Sequence, residues 1–485
     1  MGRPFPGRPT RRQLLLGGAA SLLLDGCDDS SVQGSAKVTP AGAATKYTID
    51  ELFAAPSFYV AHRGSGDNWA EHTLQAYSHA AELGVKAIEI SVNATRDGVL
   101  VCHHDTTLLR TTGHDLAIAQ LTWSELSDHL VDARKWLGPS AQPQPIPRLD
   151  EVLELLGGSH VLFLEDKQGT NTTALLDRMD QQQGSQERFI WKQWVAAQQY
   201  RLARSRGYRT WGYFNRDLLG KPDRYVKELD YVGVHHSATD TQIEKLVDFG
   251  KPVIAWEVHT RAMRDRMARL GVSGYMCSNV PYVTRSDAAA QADTFGSGLR
   301  AAGDLPWSTD RGWGVQPGFD PLSQALTVRG EGVQSYVMGS MAPIVADTYT
   351  LATEMRWPDG LPGERDHGGI AFGQKDDQAY RVRVPSAQGG YHAILRTNGL
   401  LELFERAPGV VDATSLGVVK TDEVQAGQWV GLQVSVSPSK IIVRREGAER
   451  WAVTVDNSHY RGGYFSLCKN YRSDLPVQFR AVTVT

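Results

Sequence analysis

The sequence predicts two folded units, a (β/α)8 barrel over residues 47–292 and an all-β sandwich over 316–485. Two observations carry this. Between residues 47 and 290 apolar strand-like runs alternate with amphipathic helical stretches, the pattern of a parallel sheet with crossover helices. Beyond a linker-like segment at 293–315 the pattern changes to short alternating runs between Gly, Pro, Asn and Asp turns, with almost no helix. The chain of 485 residues is also long for one domain.

Eight strands are expected in the first unit: 58–62, 86–91, 161–166, 188–193, 209–214, 231–236, 252–258 and 274–279. A helix is expected over Thr73–Leu83, with Leu74, Tyr77, Ala80 and Ala81 on one face. Another places Met263, Met267 and Leu270 together and ends at Gly271, a C-cap position. Eight strand–helix units in this length suit a barrel. A doubly wound sheet is the alternative, but it would normally carry a Gly-rich nucleotide loop after its first strand, and His62-Arg63-Gly64-Ser65-Gly66 is not such a loop. Barrel active sites lie where strands end. Polar residues cluster at those ends: His62 and Arg63, Glu89 and Ser91, Glu165 and Lys167, His235 and His236, and Glu257.

The sandwich is expected to contain strands around 348–357, 368–374, 379–384, 391–397, 400–406, 429–437, 440–446, 451–456, 463–468 and 477–484, with Val434, Val436, Ile442 and Val443 supplying core faces. The net charge of −3 gives no hint of nucleic-acid binding. No apolar run reaches the ~20 residues that span a bilayer.

The first 27 residues read as an export signal. Arg11-Arg12 precede a short apolar stretch, and Leu23-Leu24-Asp25-Gly26-Cys27 resembles a lipoprotein cleavage box, with Cys27 as the lipidated residue. Residues 28–46 are small, polar and aperiodic, a tether. An exported protein, secreted or held at the cell surface and touching membrane only through lipid, is expected. Of the other thiols, Cys102 and Cys277 lie in apolar strands and read as buried and unpaired.

The barrel motifs are His62-Arg63-Gly64, Glu71-His72-Thr73, Glu89-Ile90-Ser91, His104-Asp105 and Glu165-Asp166-Lys167. In order and spacing this set resembles the glycerophosphodiester phosphodiesterases, over roughly residues 56–290. The resemblance implies His62 and His104 as a general acid/base pair, roles that suit imidazole because it titrates near neutrality. It implies Arg63 and Lys167 as phosphate-binding groups. It also implies a divalent cation, Ca2+ or Mg2+, on Glu89 and Glu165; oxygen ligands suit such a hard ion. Trp256 and Glu257 would line the substrate pocket.

This chain departs from the family pattern. Ser91 stands where the family has a second carboxylate, His72 where it has Asn, and Ser278-Asn279 where it often has Thr-Asp. Three readings follow. The ion is held by Glu89, Glu165 and waters, with Ser91 a weak ligand at most. Or another carboxylate, Glu71 or Glu257, compensates. Or the site is degenerate. His103 and the pair His235/His236 read as packed or hydrogen-bonded residues, and within the motifs His72 reads as a helix-start residue or a substrate contact and Asp105 as a loop brace.

The sandwich resembles the concanavalin-like jelly rolls of lectins and laminin-G modules, in pattern only. Its aromatic and Arg residues (Trp357, Tyr380, Tyr391, Arg396, Trp429, Tyr460, Arg461, Tyr464) could stack on a cell-wall glycan or fill the core. The expected activity is hydrolysis of glycerophosphodiesters to an alcohol and glycerol phosphate. The alternatives are an inert surface protein that binds glycan or teichoic polymer, and a phospholipid-cleaving relative of the sphingomyelinase D type.

Overall fold

The computed structural model describes residues 46–305, 317–329, 335–378, 388–469 and 474–485. The export signal, Cys27, the tether up to residue 45 and the strand expected at 379–384 lie outside these residues.

The barrel strands are β1 (Phe58–Ala61), β2 (Ala87–Ala94), β4 (Val161–Asp166), β5 (Phe189–Trp194), β6 (Arg209–Phe214), β7 (Tyr231–His235), β8 (Val253–Val258) and β9 (Gly274–Cys277). They pair in the order β1-β9-β8-β7-β6-β5-β4-β2, all parallel, and β2 closes back on β1. The short strand β3 (Leu100–Cys102) runs antiparallel on β2 and makes a hairpin at the rim.

Side chains alternate along a strand, so every second residue faces the barrel interior. One apolar layer inside comprises Phe58, Val60, Ala87, Val161, Phe163, Ile190, Trp211, Tyr231, Ile254 and Met276. Two residues onward from members of this layer stand His62, Glu89, Glu165, Lys192, Tyr213, Trp256 and Ser278. The pleat that buries the apolar layer thus presents a polar one at the C-terminal mouth. The outer faces of the strands pack against helices in the larger core, with Ile88, Ile90, Leu162 and Leu164 among its members.

Helix Leu74–Glu82 starts at Thr73, whose hydroxyl accepts the Ala76 N–H at 3.2 Å. Its buried residues are Ala76, Tyr77 and Ala80, whereas Leu74 is exposed, because the first turn lies at the rim rather than over the sheet. Gly64 has φ +77°, and a Cβ there would lie 2.9 Å from that of Ala76, so this position needs glycine on both counts. Helix Arg261–Arg269 buries Met267, packs Met263 and Leu270 on the core, and stops before Gly271 at φ +85°.

The C-terminal region forms two antiparallel sheets. One runs through strands Val477–Val484, Tyr349–Arg356, Val430–Val436 and Lys440–Arg445, the other through Gly462–Lys469, His367–Gly373, Gly390–Arg396 and Leu400–Arg406. Both contribute to one core, including Leu351, Met355, Val434, Val436, Ile370, Leu395, Leu403 and Phe465. The inward residues of strand Lys440–Arg445 are Ile441 and Val443. Ile442 points the other way, since neighbours in a strand cannot share a face.

The segment expected to be a linker is packed where it is described. The Val482 N–H donates to Asp293, Phe295 is buried in the sandwich core, and Ser140 donates its N–H to Gly298 at 3.1 Å. The two units also meet at the start of helix Arg261–Arg269. Asp377 of the sandwich accepts the backbone N–H groups of Arg261 and Ala262 at 2.7 and 2.9 Å, and the Tyr282 hydroxyl at 2.7 Å. The Arg261 guanidinium lies 4.2 Å from the Tyr282 ring centre and donates to the Ala342 carbonyl and the Tyr464 hydroxyl, both at 3.3 Å.

Candidate active site

The Arg63 and Ser65 backbones adopt positive φ just after β1, and the turn brings the Arg63 N–H to Glu89 at 3.0 Å. His62 is buried, with Nδ1 2.8 Å from the Ser278 hydroxyl. Its Nε2 lies 3.8 Å from Glu257 Oε1. Burial, with the neighbouring Arg63 charge, lowers the His62 pKa to about 4. His104 follows β3 and pairs through Nδ1 with Asp105 at 2.6 Å. Its pKa is lowered to about 3, mainly by burial and then by Arg63, against the pull of Asp105. Both imidazoles are therefore neutral near pH 7, and both feel the same guanidinium.

Arg63 donates to both oxygens of Glu71 at 3.3 Å and to Glu257 at 3.4 Å. Its Nε is buried without a partner among the described residues, a donor left for another anion. Glu71 is fully enclosed. Besides Arg63 it accepts two bonds from Arg110, at 2.6 and 2.8 Å, and Arg110 reaches Asp105 at 2.7 Å. Burial works against the Glu71 charge, yet Arg63 and Arg110 hold its pKa well below the usual carboxylate value. The structure thus makes Glu71 the link between the His62 and His104 arms. Its oxygens are committed to guanidinium groups, which takes it out of the carboxylates able to compensate for Ser91.

Trp256 and Glu257 both address the mouth, although they are adjacent in β8. A bulge between Trp256 and Val258 breaks the alternation and re-aims the strand end. Trp256 packs edge-on against Tyr213 and His235. Glu257 Oε2 lies 3.4 Å from His259 Nε2, and His259 Nδ1 contacts Asp67 at 2.7 Å. Burial disfavours a charged His259, but Asp67 and Glu257 outweigh it and raise the pKa to about 10. His103 is packed, bonded to the Asp105 carbonyl and the Thr111 hydroxyl. His72 is buried against the Tyr77 hydroxyl at 2.7 Å. His235 bonds to Ser237.

Glu89 and Glu165 come together with Lys192 between them. The Lys192 ammonium donates to Glu89 Oε1 at 3.0 Å and to Glu165 Oε2 in a shorter contact. Ser91 does not replace the missing carboxylate; its hydroxyl donates to Glu89 Oε1 at 2.9 Å. Tyr213 donates to Glu165 Oε1 at 2.6 Å, and Lys167 to Glu165 Oε2 at 3.3 Å. Burial opposes both carboxylate charges. Lys192, with weaker help from neighbouring cationic groups, keeps Glu89 well below its usual pKa and Glu165 down at about 2.

This donor set does not fit the divalent cation that the family pattern implies. All four oxygens of Glu89 and Glu165 already accept bonds from protein donors. Among the described residues no group of three or more His, Cys, Asp or Glu could hold an ion.

Lys192, Tyr213, Arg110 and His259 had not been singled out in the sequence, and Ser278 only as a departure from the family's Thr-Asp. Lys192 carried a signal: a charge in an apolar strand, two residues from Ile190, is costly to bury without partners. Arg110 sits in the short helix Leu109–Thr112 and His259 in the loop after β8, both outside the motifs, and they carried none.

In the sandwich, Trp357 and Tyr391 are buried in the core and Tyr464 contacts Arg261. Trp429 lies under Arg356 and Arg480, with guanidinium carbons 4.5 and 4.1 Å from the ring centre. These rings are occupied by the protein itself.

Residues 62–280 match the model of the "Glycerophosphoryl diester phosphodiesterase family". The match takes in 219 of the 485 residues, the barrel alone. A glycerophosphodiester phosphodiesterase of Caldanaerobacter subterraneus is 39% identical over 111 residues, covering 23% of this chain and 45% of the relative. A putative glycerophosphodiester phosphodiesterase of Bacillus subtilis, YhdW, is 23% identical over 239 residues, covering 47% of this chain and 97% of the relative. Among solved structures, a phosphodiesterase of Oleispira antarctica in complex with the product sn-glycerol-3-phosphate aligns at 21% identity and a TM-score of 0.42, over 48% of this chain and 97% of that one.

Proposed function

We propose that this protein hydrolyses glycerophosphodiesters to an alcohol and glycerol phosphate by His62/His104 acid–base catalysis. The observation that carries the reading is a pair of imidazoles beside Arg63, His62 buried and His104 partly exposed at the mouth, each fixed through Nδ1 by a second side chain. Arg63, with its unpaired Nε, and Lys167 would hold the phosphodiester oxygens. The bound anion favours protonation of nearby imidazole, bringing the pKa values toward the working range.

In the first step the glycerol hydroxyl next to the ester attacks phosphorus. One imidazole accepts the hydroxyl proton while the other, entering protonated, gives a proton to the departing alcohol oxygen. The products are a cyclic phosphate and the free alcohol. Water then opens the ring with the two roles reversed. Its proton passes to the second imidazole, the first protonates the ring oxygen, and glycerol phosphate leaves.

The test is release of alcohol and glycerol phosphate from glycerophosphocholine. His62→Ala and His104→Ala should each abolish it with the circular dichroism spectrum unchanged. Absence of turnover with any diester refutes the reading, and choline release from lysophosphatidylcholine alone would move the protein to the phospholipid-cleaving alternative.

We also propose export and attachment through lipid on Cys27, on the strength of Arg11-Arg12 and the box ending at Cys27. Mass spectrometry of the mature protein would show diacylglyceryl-Cys27. An unmodified Cys27 in membrane-bound protein would refute the attachment.

A further inference from the structure

We propose that the Lys192 ammonium stands in for a divalent cation, so that this barrel works without a metal ion. The proposal rests on the phosphodiesterase reading only for its activity arm.

Lys192 occupies the position between Glu89 and Glu165 that an ion bridging them would need. It is buried, as are both carboxylates. Two carboxylates brought together out of water repel unless a cation neutralises them, and the penalty for leaving them unpaired is severe. Lys192 meets that requirement from within the chain. The Tyr213 ring, 5.2 Å below the ammonium, and the Trp211 ring at 5.9 Å add favourable cation–π contacts that a hydrated ion would not find.

Ser91 and Lys192 make one exchange. A site of Glu89, a carboxylate at 91 and Glu165 around a divalent ion carries one net negative charge. Glu89 and Glu165 around the Lys192 ammonium carry the same. A carboxylate at 91 beside Lys192 would restore the surplus, whereas the Ser91 hydroxyl adds no charge and supplies a donor to Glu89. The loss of the acid and the presence of the lysine are therefore coupled, and the degenerate-site reading of Ser91 is unnecessary. Lys192 is a positioning residue: it fixes Glu89, which holds the Arg63 backbone, and Glu165, which holds Lys167.

The full chain, stripped with EDTA and dialysed, is titrated with CaCl2, MgCl2 and MnCl2 by calorimetry, with the metal content checked by plasma mass spectrometry. The wild type is expected to take up no stoichiometric ion, and neither ion nor chelator should move its Tm. The Ser91→Asp/Lys192→Ala double variant should bind one ion per chain and gain Tm when it is added. Uptake of one ion by the wild type, lost in Glu89→Gln, would overturn the proposal. So would a folded double variant that takes up none. Should the double variant fail to fold, the wild-type titration and Lys192→Met, expected to lose Tm that added ion does not restore, still decide.

Hydrolysis is read in parallel. Turnover that chelator changes by less than about twofold supports the proposal, because losing a true metal cofactor costs orders of magnitude. Turnover that requires an ion overturns it and leaves the phosphodiesterase reading intact. No turnover with an ion-free wild type refutes that reading and leaves the Lys192 assignment standing.

Discussion

His62 Nδ1 lies 2.8 Å from the Ser278 hydroxyl, across the seam where the first and last barrel strands pair. The contact fixes the ring so that Nε2 faces Glu257 and the mouth. Ser278→Ala should free the ring and lower kcat by about tenfold, a fraction of what acid–base catalysis supplies, with little change in KM. Steady-state kinetics checks this; a rise in KM at constant kcat would make Ser278 a substrate contact instead.

Asp105 plays the matching part for His104 while binding Arg110. Asp105→Asn removes a charge that favours the imidazolium. It should push the His104 pKa further down, shift the acidic limb of the kcat profile toward lower pH and reduce kcat. A pH–rate profile with an unmoved acidic limb would contradict this assignment.

Glu71 joins the two arms from a fully enclosed position, and its neutralisation leaves Arg63 with only Glu257 and Arg110 with only Asp105 as carboxylate partners. Glu71→Gln should cost about 3 kcal/mol of stability, the scale on which breaking a buried ion pair acts. Denaturant titration measures it. A loss under about 1 kcal/mol, the value of an exposed pair, would show that water enters this cluster.

Two opposite pH dependences are built into the mouth. His62 has a folded pKa of about 4 against an ordinary 6.5, so the unfolded chain binds more protons between these values. Its contribution is present above 6.5 and lost as pH falls toward 4; His104 adds to this down to about 3. His259, raised to about 10, contributes fully below 6.5 and loses that contribution as pH rises through 10. Tm should therefore decline on both sides, and His259→Gln should flatten the alkaline limb alone. The His259 ring protons should also show no titration between pH 6 and 8 by NMR.

The barrel was legible in the sequence because its strands are buried on both faces and bounded by turns, so each reads as a short apolar run. The polar strand ends were legible for the same reason: Glu89 and Glu165 are conspicuous among Ile and Leu. Lys192 was equally conspicuous, but β5 held no family motif to draw attention to it. The Glu71–Arg110 and His259–Asp67 contacts were not legible, because they depend on loop paths that bring residues 39 and 192 positions apart together. The packing of residues 289–305 was hidden by composition, since small and polar residues read as a linker whether or not a neighbouring sheet covers them.

Thr260 caps the Met263 N–H of helix Arg261–Arg269 from within the barrel, and the Asp377 carboxylate of the sandwich takes the two N–H groups that remain, those of Arg261 and Ala262. The two units are thus not modules that could be shuffled freely between proteins. A barrel separated from its sandwich would expose the first turn of that helix, and the loop just before it carries His259, the partner of Glu257 at the end of β8. Without the sandwich those two N–H groups would turn to water, and the turn that positions His259 would lose an anchor.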